Sequence, residues 1–107
     1  MDEDAQNVMM EMQQLQQNLQ QVMQQSEQTE NELNGVKKAL KELGEDEGKV
    51  YKAVGDIMVA KDREELEEDL KEEKEDLEVR LKSLEKKESQ LRDKLEETQG
   101  KISQNLQ

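Results

Sequence analysis

The side chains that could do chemistry in this sequence are carboxylates, because its 107 residues include no His and no Cys. The commonest general base and the thiolate metal ligands are therefore missing. The densest acidic run, residues 64–76, lacks the alternating oxygen ligands and the central Gly of a calcium-binding loop. Nothing in the sequence builds a pocket around paired carboxylates. We interpret the run as a solvated helix face, and we expect no metal, no cofactor and no enzyme activity.

A second candidate for chemistry is the segment 44–49, GEDEGK, which faintly resembles a phosphate-binding loop. It is one residue too short, Val50 stands where Ser or Thr is required, and its three acids would repel phosphate. We interpret the segment as a helix cap followed by a linker. Gly44 would be the left-handed residue that ends the preceding helix.

The overall composition argues against a thick globular core. Charged residues make up 41% of the chain and hydrophobic residues 31%, and Tyr51 is the only aromatic side chain. Aromatic side chains usually supply much of the buried area of a core. Low hydrophobicity with a net charge of −12 indicates disorder unless the apolar residues recur at a regular spacing.

The acidic charge also bears on partners and location. An acidic surface repels phosphate backbones, so we expect no nucleic-acid partner. Residues 1–4 do not resemble the start of a signal peptide, and no stretch approaches the ~20 apolar residues of a membrane span. We therefore expect a soluble cytoplasmic protein with no membrane partner. The acidity would serve solubility, with a dedicated acidic docking face as the alternative.

The apolar residues do recur at a regular spacing in residues 8–43. Successive positions alternate four and three residues apart, which is the heptad pattern of a coiled-coil helix. The absence of Pro from the chain favours long helices, and we predict one over about residues 5–43. The predicted seam is Val8, Met12, Leu15, Leu19, Val22, Ser26, Thr29, Leu33, Val36, Leu40 and Leu43.

A second helix is predicted over about residues 63–105. Asp62 has the type of an N-cap residue, with Glu65 three places on. The seam alternates four and three from Leu77 onward, and upstream it shifts by one residue through Glu73. The predicted seam is Leu66, Leu70, Glu73, Leu77, Leu81, Leu84, Glu88, Leu91, Leu95, Thr98 and Ile102. Pairs of opposite charge that could support the helix are Glu67/Lys71, Asp76/Arg80, Glu78/Lys82 and Glu88/Arg92.

Two β-prone runs, residues 49–54 and 57–60, lie between the helices. A two-residue loop of Gly55 and Asp56 suits a type II′ turn, which makes Val54 face Ile57. Both faces of this hairpin are largely apolar, and an isolated hairpin with open edges is marginal in water. We therefore expect oligomerisation through a shared sheet. The predicted assembly residues are Val50, Tyr51, Val54, Gly55, Ile57, Met58 and Val59.

The predicted elements define a mainly α fold in a single domain over residues 1–107. Two helices of nearly equal length, each with one narrow apolar stripe, can bury those stripes against each other. The chain between them doubles back at residues 44–61, so the helices would lie antiparallel with both termini at one end. The result is a long two-helix coiled-coil hairpin with a short β-hairpin insert.

The hairpin segment, residues 50–62 with the sequence VYKAVGDIMVAKD, resembles the hairpin of the prefoldin β-class subunit. The Gln-rich first helix, the acidic loop after Leu43 and the sequence LEVRL at residues 77–81 are also similar, so the resemblance covers essentially the whole chain. The α class of this family has a longer insert with two hairpins. The short interval between the two predicted helices therefore favours the β class.

The resemblance implies a heterohexamer of two α and four β subunits. Hairpins of this family assemble into intersubunit β-barrels, from which the coiled coils project. The implied function is that of an ATP-independent chaperone subunit, which holds non-native proteins at the coiled-coil tips and passes them to a group II chaperonin. Its partners would be α-class subunits, further β copies, unfolded proteins and the chaperonin.

The candidate client-binding residues lie near the two termini. Met is unbranched and polarizable and adapts to surfaces of varied shape. Met9 and Met10 fall off the seam and would be exposed, with a frayed terminus as the alternative interpretation. The seam residues among the candidates could equally be structural. The predicted client-binding residues are Val8, Met9, Met10, Met12, Leu15, Ile102 and Leu106.

Two other function classes remain open from the residues alone. A structural coiled-coil scaffold or spacer would have the same heptads, but it has no need of an apolar β insert. The helical arm of an enzyme, such as one that grips tRNA, should be basic, whereas this chain is acidic.

Overall fold

The computed structural model describes residues 3–105 of the chain, with side chains through residue 104. Helix α1 (Glu3–Glu45) is followed by strands β1 (Val50–Val54) and β2 (Ile57–Lys61) and by helix α2 (Arg63–Asn105). The predicted fold class, two long helices joined by a β-hairpin, is confirmed. The predicted helix boundaries agree with the observed ones to within two residues.

The predicted seam of α1 is the packed side of that helix. Acidic Glu3 and Asp4 stand in its first turn, where the positive end of the helix dipole favours them. The seam positions that are not fully buried are partly buried. Ser26 Oγ is buried without a hydrogen-bond partner among the described residues. The buried seam positions are Leu15, Val22, Thr29, Leu33, Val36 and Leu43.

The end of α1 differs from the prediction. The helix continues through Gly44 to Glu45, and Asp46 N–H still donates to the Glu42 carbonyl at 3.0 Å in the helical pattern. Among the described residues only Gly55 has a positive φ. The prediction of a left-handed cap at Gly44 is therefore wrong.

A side chain from α2 explains why Gly44 need not end the helix. The last carbonyls of a helix lack partners within it and are often satisfied by a left-handed cap. Here the Arg63 guanidinium donates through Nη1 to the Leu43 carbonyl at 2.5 Å. Because a distant residue satisfies this carbonyl, the chain can continue in helical conformation through Gly44 to Glu45.

The start of α2 is as predicted, since Leu66 N–H donates to the Asp62 carbonyl at 2.9 Å and opens the helical ladder. The predicted shift of the seam is wrong, because Glu73 is exposed and Lys74 is partly buried. Lys74 can cover apolar surface with its stem while its ammonium group remains in water, 3.9 Å from Glu78. The seam of α2 thus keeps one heptad register from Leu70 through Leu77.

Two of the four predicted ion pairs form on α2. Lys71 and Glu67 approach to 3.2 Å, and Arg92 and Glu88 to 2.9 Å. Within residues 3–105, the pairs Asp76/Arg80 and Glu78/Lys82 are not formed, and Glu78 pairs with the preceding Lys74 instead. Exposed pairs of this kind contribute a few tenths of a kcal/mol each, roughly 0.3–0.5 for i,i+4 pairs.

The β-hairpin has the predicted register. Val54 faces Ile57, Ala53 faces Met58 and Tyr51 faces Ala60 in an antiparallel pair. Gly55 has φ 61°, and no non-Gly residue in the described chain has a positive φ. A positive φ at the first turn position alone is typical of a type II′ turn, which matches the right-handed twist of the strands.

The chain forms two compact units. One, Thr29–Arg80, contains the end of α1, the hairpin and the beginning of α2, and Leu33, Val36, Leu43 and Leu77 are buried in it. The other combines the first part of α1, through Gln28, with α2 from Leu81 onward. It buries Leu15, Val22 and Thr98. Neither helix, within the described residues, has a stretch long and apolar enough to cross a membrane.

Candidate functional site: an exposed β-hairpin and an exposed methionine pair

The hairpin is the most exposed apolar part of the described chain. Every residue from 51 to 60 is exposed, although most of these side chains are apolar. Ile57 keeps 63% of its surface accessible and Met58 keeps 66%. Six of the seven predicted assembly residues are exposed: Tyr51, Val54, Gly55, Ile57, Met58 and Val59.

The register divides the exposed apolar side chains between two faces. Val54, Ile57 and Val59 share one face, and Tyr51 and Met58 share the other, because directly opposed residues point the same way. Among the described residues the sheet consists of these two strands, so each strand has one unpaired edge. Covering one such side chain is worth roughly 1.5–3 kcal/mol. The geometry therefore favours a partner that adds strands and covers both faces.

The seventh predicted assembly residue, Val50, lies in a different environment. It is partly buried and lines an open cleft of about 230 Å³ where the hairpin meets the helices. Val50 therefore anchors the hairpin to the coil more than it presents a free surface. The lining residues of the cleft are Ala39, Glu42, Leu43, Asp46, Val50, Tyr51, Leu66 and Leu70.

Met9 and Met10 are exposed near the start of α1, as their position off the seam predicted. Met9 keeps 45% of its surface accessible and Met10 keeps 67%. The candidates on the seam are packed, since Leu15 is buried and Val8, Met12 and Ile102 are partly buried. The remaining candidate, Leu106, lies outside the described residues.

Met23 is a third exposed methionine on α1 that the sequence prediction did not include. It keeps 45% of its surface accessible, and Arg92 Nη2 donates to its Sδ at 3.7 Å. Met9 and Met23 are fourteen positions apart, or about four helical turns, which places both on one flank of α1. Its position off the seam was the signal that could have identified Met23.

The described residues carry exposed side chains and open grooves. Within residues 3–105, no group of three or more His, Cys, Asp or Glu side chains could hold a metal ion. The helix surfaces carry open grooves, such as one lined by Gln17, Gln20, Gln21 and Gln24. The exposed hairpin and the exposed methionines are the candidate interaction surfaces of the described residues.

Comparison with known proteins agrees with this fold. A family model described as "Prefoldin subunit" matches residues 6–107. The crystal structure of the prefoldin beta subunit from Thermococcus strain KS-1 superposes with a TM-score of 0.88 and 37% sequence identity, over 99% of this chain and 95% of that chain. No match was found among curated protein sequences. The chain therefore belongs to the prefoldin subunit family, has the fold of a prefoldin beta subunit, and serves as a chaperone subunit.

Proposed function

We propose that this chain is the β-class subunit of an ATP-independent chaperone in the cytoplasm. In this proposal the assembly contains two α-class and four β-class subunits, holds non-native proteins, and passes them to a group II chaperonin. Membership of the prefoldin subunit family implies assembly with other prefoldin subunits, and the family is one of chaperones and not of enzymes. Beyond this, we propose the two-to-four stoichiometry, the binding of non-native clients and their transfer to the chaperonin.

The observation that carries the assembly part is the exposed apolar hairpin. Two open strand edges and two apolar faces are unfavourable in water, and an added strand satisfies the backbone while it buries side chains. Strand addition between hairpins would do both at once. A spacer coiled coil, the alternative function, gives no reason for this hairpin.

The observation that supports client holding is the exposure of Met9 and Met10. Both side chains are exposed while the seam residues around them are packed, so Met9 and Met10 are not needed for pairing of the helices. Flexible, polarizable side chains suit clients without a common sequence. Each site would bind weakly, and several subunits acting on one client would gain avidity through effective concentration.

A truncation tests the client-holding part. A variant that lacks residues 1–12 should still form the hetero-oligomer, because the hairpin is intact. It should lose most of its ability to suppress aggregation of a chemically denatured test protein, measured by light scattering. An assembled truncated variant that protects as well as the full chain would contradict the proposal.

A double substitution provides the finer version of this test. Met9→Ser with Met10→Ser removes only the exposed pair and leaves the seam unchanged. We expect a clear loss of protection with an unchanged oligomer. Val79→Ser is the matched control, since Val79 keeps 69% of its surface accessible but lies on α2 outside this region. Equal loss of protection in the control would mean that general surface hydrophobicity, and not these two methionines, binds the client.

A further inference from the structure

Arg63, the first residue of α2, donates hydrogen bonds to two backbone carbonyls outside its own helix. Its Nη1 donates to the Leu43 carbonyl at 2.5 Å, and its Nη2 donates to the Gly48 carbonyl. Leu43 lies in the last turn of α1, and Gly48 lies in the loop that leads into β1. One side chain therefore joins the end of α1, the loop and the beginning of α2.

The position of Arg63 is unfavourable for its own helix and favourable for its neighbour. The N-terminal end of a helix carries a partial positive charge, which favours acids such as Glu64 and Glu65 and disfavours a cation. Helix α1 has no basic residue in its last turn, where a cation would be favourable. Arg63 supplies that cation from the other helix. A residue that breaks a local rule in this way indicates a tertiary role.

The loop held by Arg63 is also fixed from its other side. Gly48 N–H donates to Asp46 Oδ1 at 2.9 Å, and a Cβ at Gly48 would lie 3.3 Å from the same oxygen. Both backbone polar groups of Gly48 are thus bonded to side chains, two residues before β1 begins at Val50. The direction in which the chain enters the hairpin is set by Asp46 and Arg63 together.

We propose that Arg63 is a positioning residue for subunit assembly. Its guanidinium fixes the hairpin relative to the ends of the two helices that flank it, so that the apolar faces are presented in one orientation. This inference rests on the proposed role of the hairpin in assembly. We call the hydrogen bonds of Arg63 and Asp46 to this loop the clamp. Without the clamp the hairpin would remain apolar, but ordering the hairpin on association would cost conformational entropy and weaken assembly.

Arg is suited to this role because its planar guanidinium carries several donors in a fixed fork, which can reach two carbonyls at once. Lys keeps the charge but presents it as a single point on a flexible stem. Gln is shorter and uncharged. The three side chains therefore separate the contribution of charge from that of the two-carbonyl geometry.

The test uses Arg63→Gln and Arg63→Lys in the full chain, assembled with an α-class subunit. Sedimentation would measure assembly, far-UV circular dichroism the helices, and hydrogen exchange the amides of residues 46–61. We expect Arg63→Gln to weaken assembly roughly tenfold or more, as the loss of charge-assisted hydrogen bonds implies. Exchange in the loop and β1 should become faster, while helicity is retained. Arg63→Lys should recover only part of the affinity.

Arg80→Gln is the matched control, because it removes the same charge from an exposed position on α2. Wild-type assembly and exchange in Arg63→Gln, or an equal loss in Arg80→Gln, would overturn the proposal. Complete recovery of assembly by Arg63→Lys would show that the two-carbonyl geometry of the guanidinium is not required. If Arg63→Gln lost helicity, Asp46→Ala would test the other side of the clamp, and unchanged exchange of residues 46–54 in that variant would overturn the proposal.

A hairpin variant separates this proposal from the one on which it rests. If Ile57→Asp with Val59→Asp dissociates the oligomer while Arg63→Gln does not, the clamp is wrong and hairpin assembly stands. If the oligomer survives the hairpin substitutions, assembly does not use the hairpin and both proposals fail.

Discussion

Single polar residues on the seam set the local stability of the coil. Ser26 and Thr29 both occupy heptad positions of α1 where an apolar side chain is usual. Ser26 Oγ is buried and has no hydrogen-bond partner among the described residues, whereas Thr29 is buried and has an interaction partner. A buried donor without a partner costs free energy, while a hydrogen-bonded one makes a modest favourable contribution.

We therefore expect Ser26→Ala to stabilise the protein. Removal of the unpaired hydroxyl should raise the free energy of unfolding by about 1 kcal/mol, and Ala also has the higher helix propensity. The measurement is thermal or denaturant unfolding followed by circular dichroism. Thr29→Ala is the control and should be destabilising, because it truncates a buried side chain and leaves a small cavity. Destabilisation by Ser26→Ala would show that its hydroxyl has a partner such as water.

At the scale of elements, the hairpin is unfavourable in water because it exposes apolar side chains, whereas α2 is destabilised by repulsion between like charges. The hairpin exposes apolar side chains on two faces, so it gains from a partner. Helix α2 carries nine acids in residues 64–76, and several of them lie four positions apart. Their carboxylates therefore repel one another along one side of the helix. Two ion pairs, Lys71 with Glu67 and Lys74 with Glu78, offset part of this repulsion. Each element therefore responds to a different solution variable.

Two aspartates in the hairpin should abolish assembly. In Ile57→Asp with Val59→Asp, both acids lie on one sheet face, where burial of a charge is strongly disfavoured. We expect the helices to remain formed and sedimentation to show monomers or dimers. Val79→Asp with Ser83→Asp adds the same charge to exposed positions of α2 and should leave the oligomer intact. An unchanged oligomer in the hairpin variant would refute the shared sheet.

Added salt should stabilise α2. Like charges at i,i+4 destabilise a helix by about 0.2–0.5 kcal/mol per pair at low ionic strength, and salt screens them. The Tm of the intact assembly should rise between low and physiological ionic strength, as measured by circular dichroism. The variant Glu68→Gln with Glu72→Gln should start from a higher Tm and respond less. A Tm that falls with added salt over this range would contradict the expectation.

At the scale of the whole molecule, this chain is one subunit of a larger chaperone. Its apolar residues supply a narrow helix seam and a hairpin, and 41% of its residues are charged. A chain of this composition buries little surface by itself and depends on assembly for the rest. We therefore expect the stability of the coil and the coverage of the hairpin to be coupled through the oligomer.

Native mass spectrometry after co-expression with an α-class subunit tests this expectation. The main species should have the mass of two α and four β chains, because the hairpins would complete shared sheets. Circular dichroism of the isolated chain should show a lower Tm than that of the complex, since the partner binds only the folded hairpin. A β chain that stays monomeric with α present, or a complex of another stoichiometry, would refute the proposed composition.

The amino-acid sequence by itself determined the helices, the hairpin register and the exposure of Met9 and Met10. These features follow from short-range regularities. The heptad spacing places side chains on one side of a helix, and Gly55 allows the positive φ that a two-residue turn needs. Residues such as Met9 are exposed simply because they fall off the seam. The family resemblance followed from the hairpin motif and was confirmed by the comparisons.

Only the tertiary structure decided how the elements meet. Gly44 remains helical because Arg63, twenty positions further on, satisfies the Leu43 carbonyl. Val50 is partly buried because its strand begins against both helices. Such contacts join residues far apart in the chain, so no local spacing or propensity reveals them.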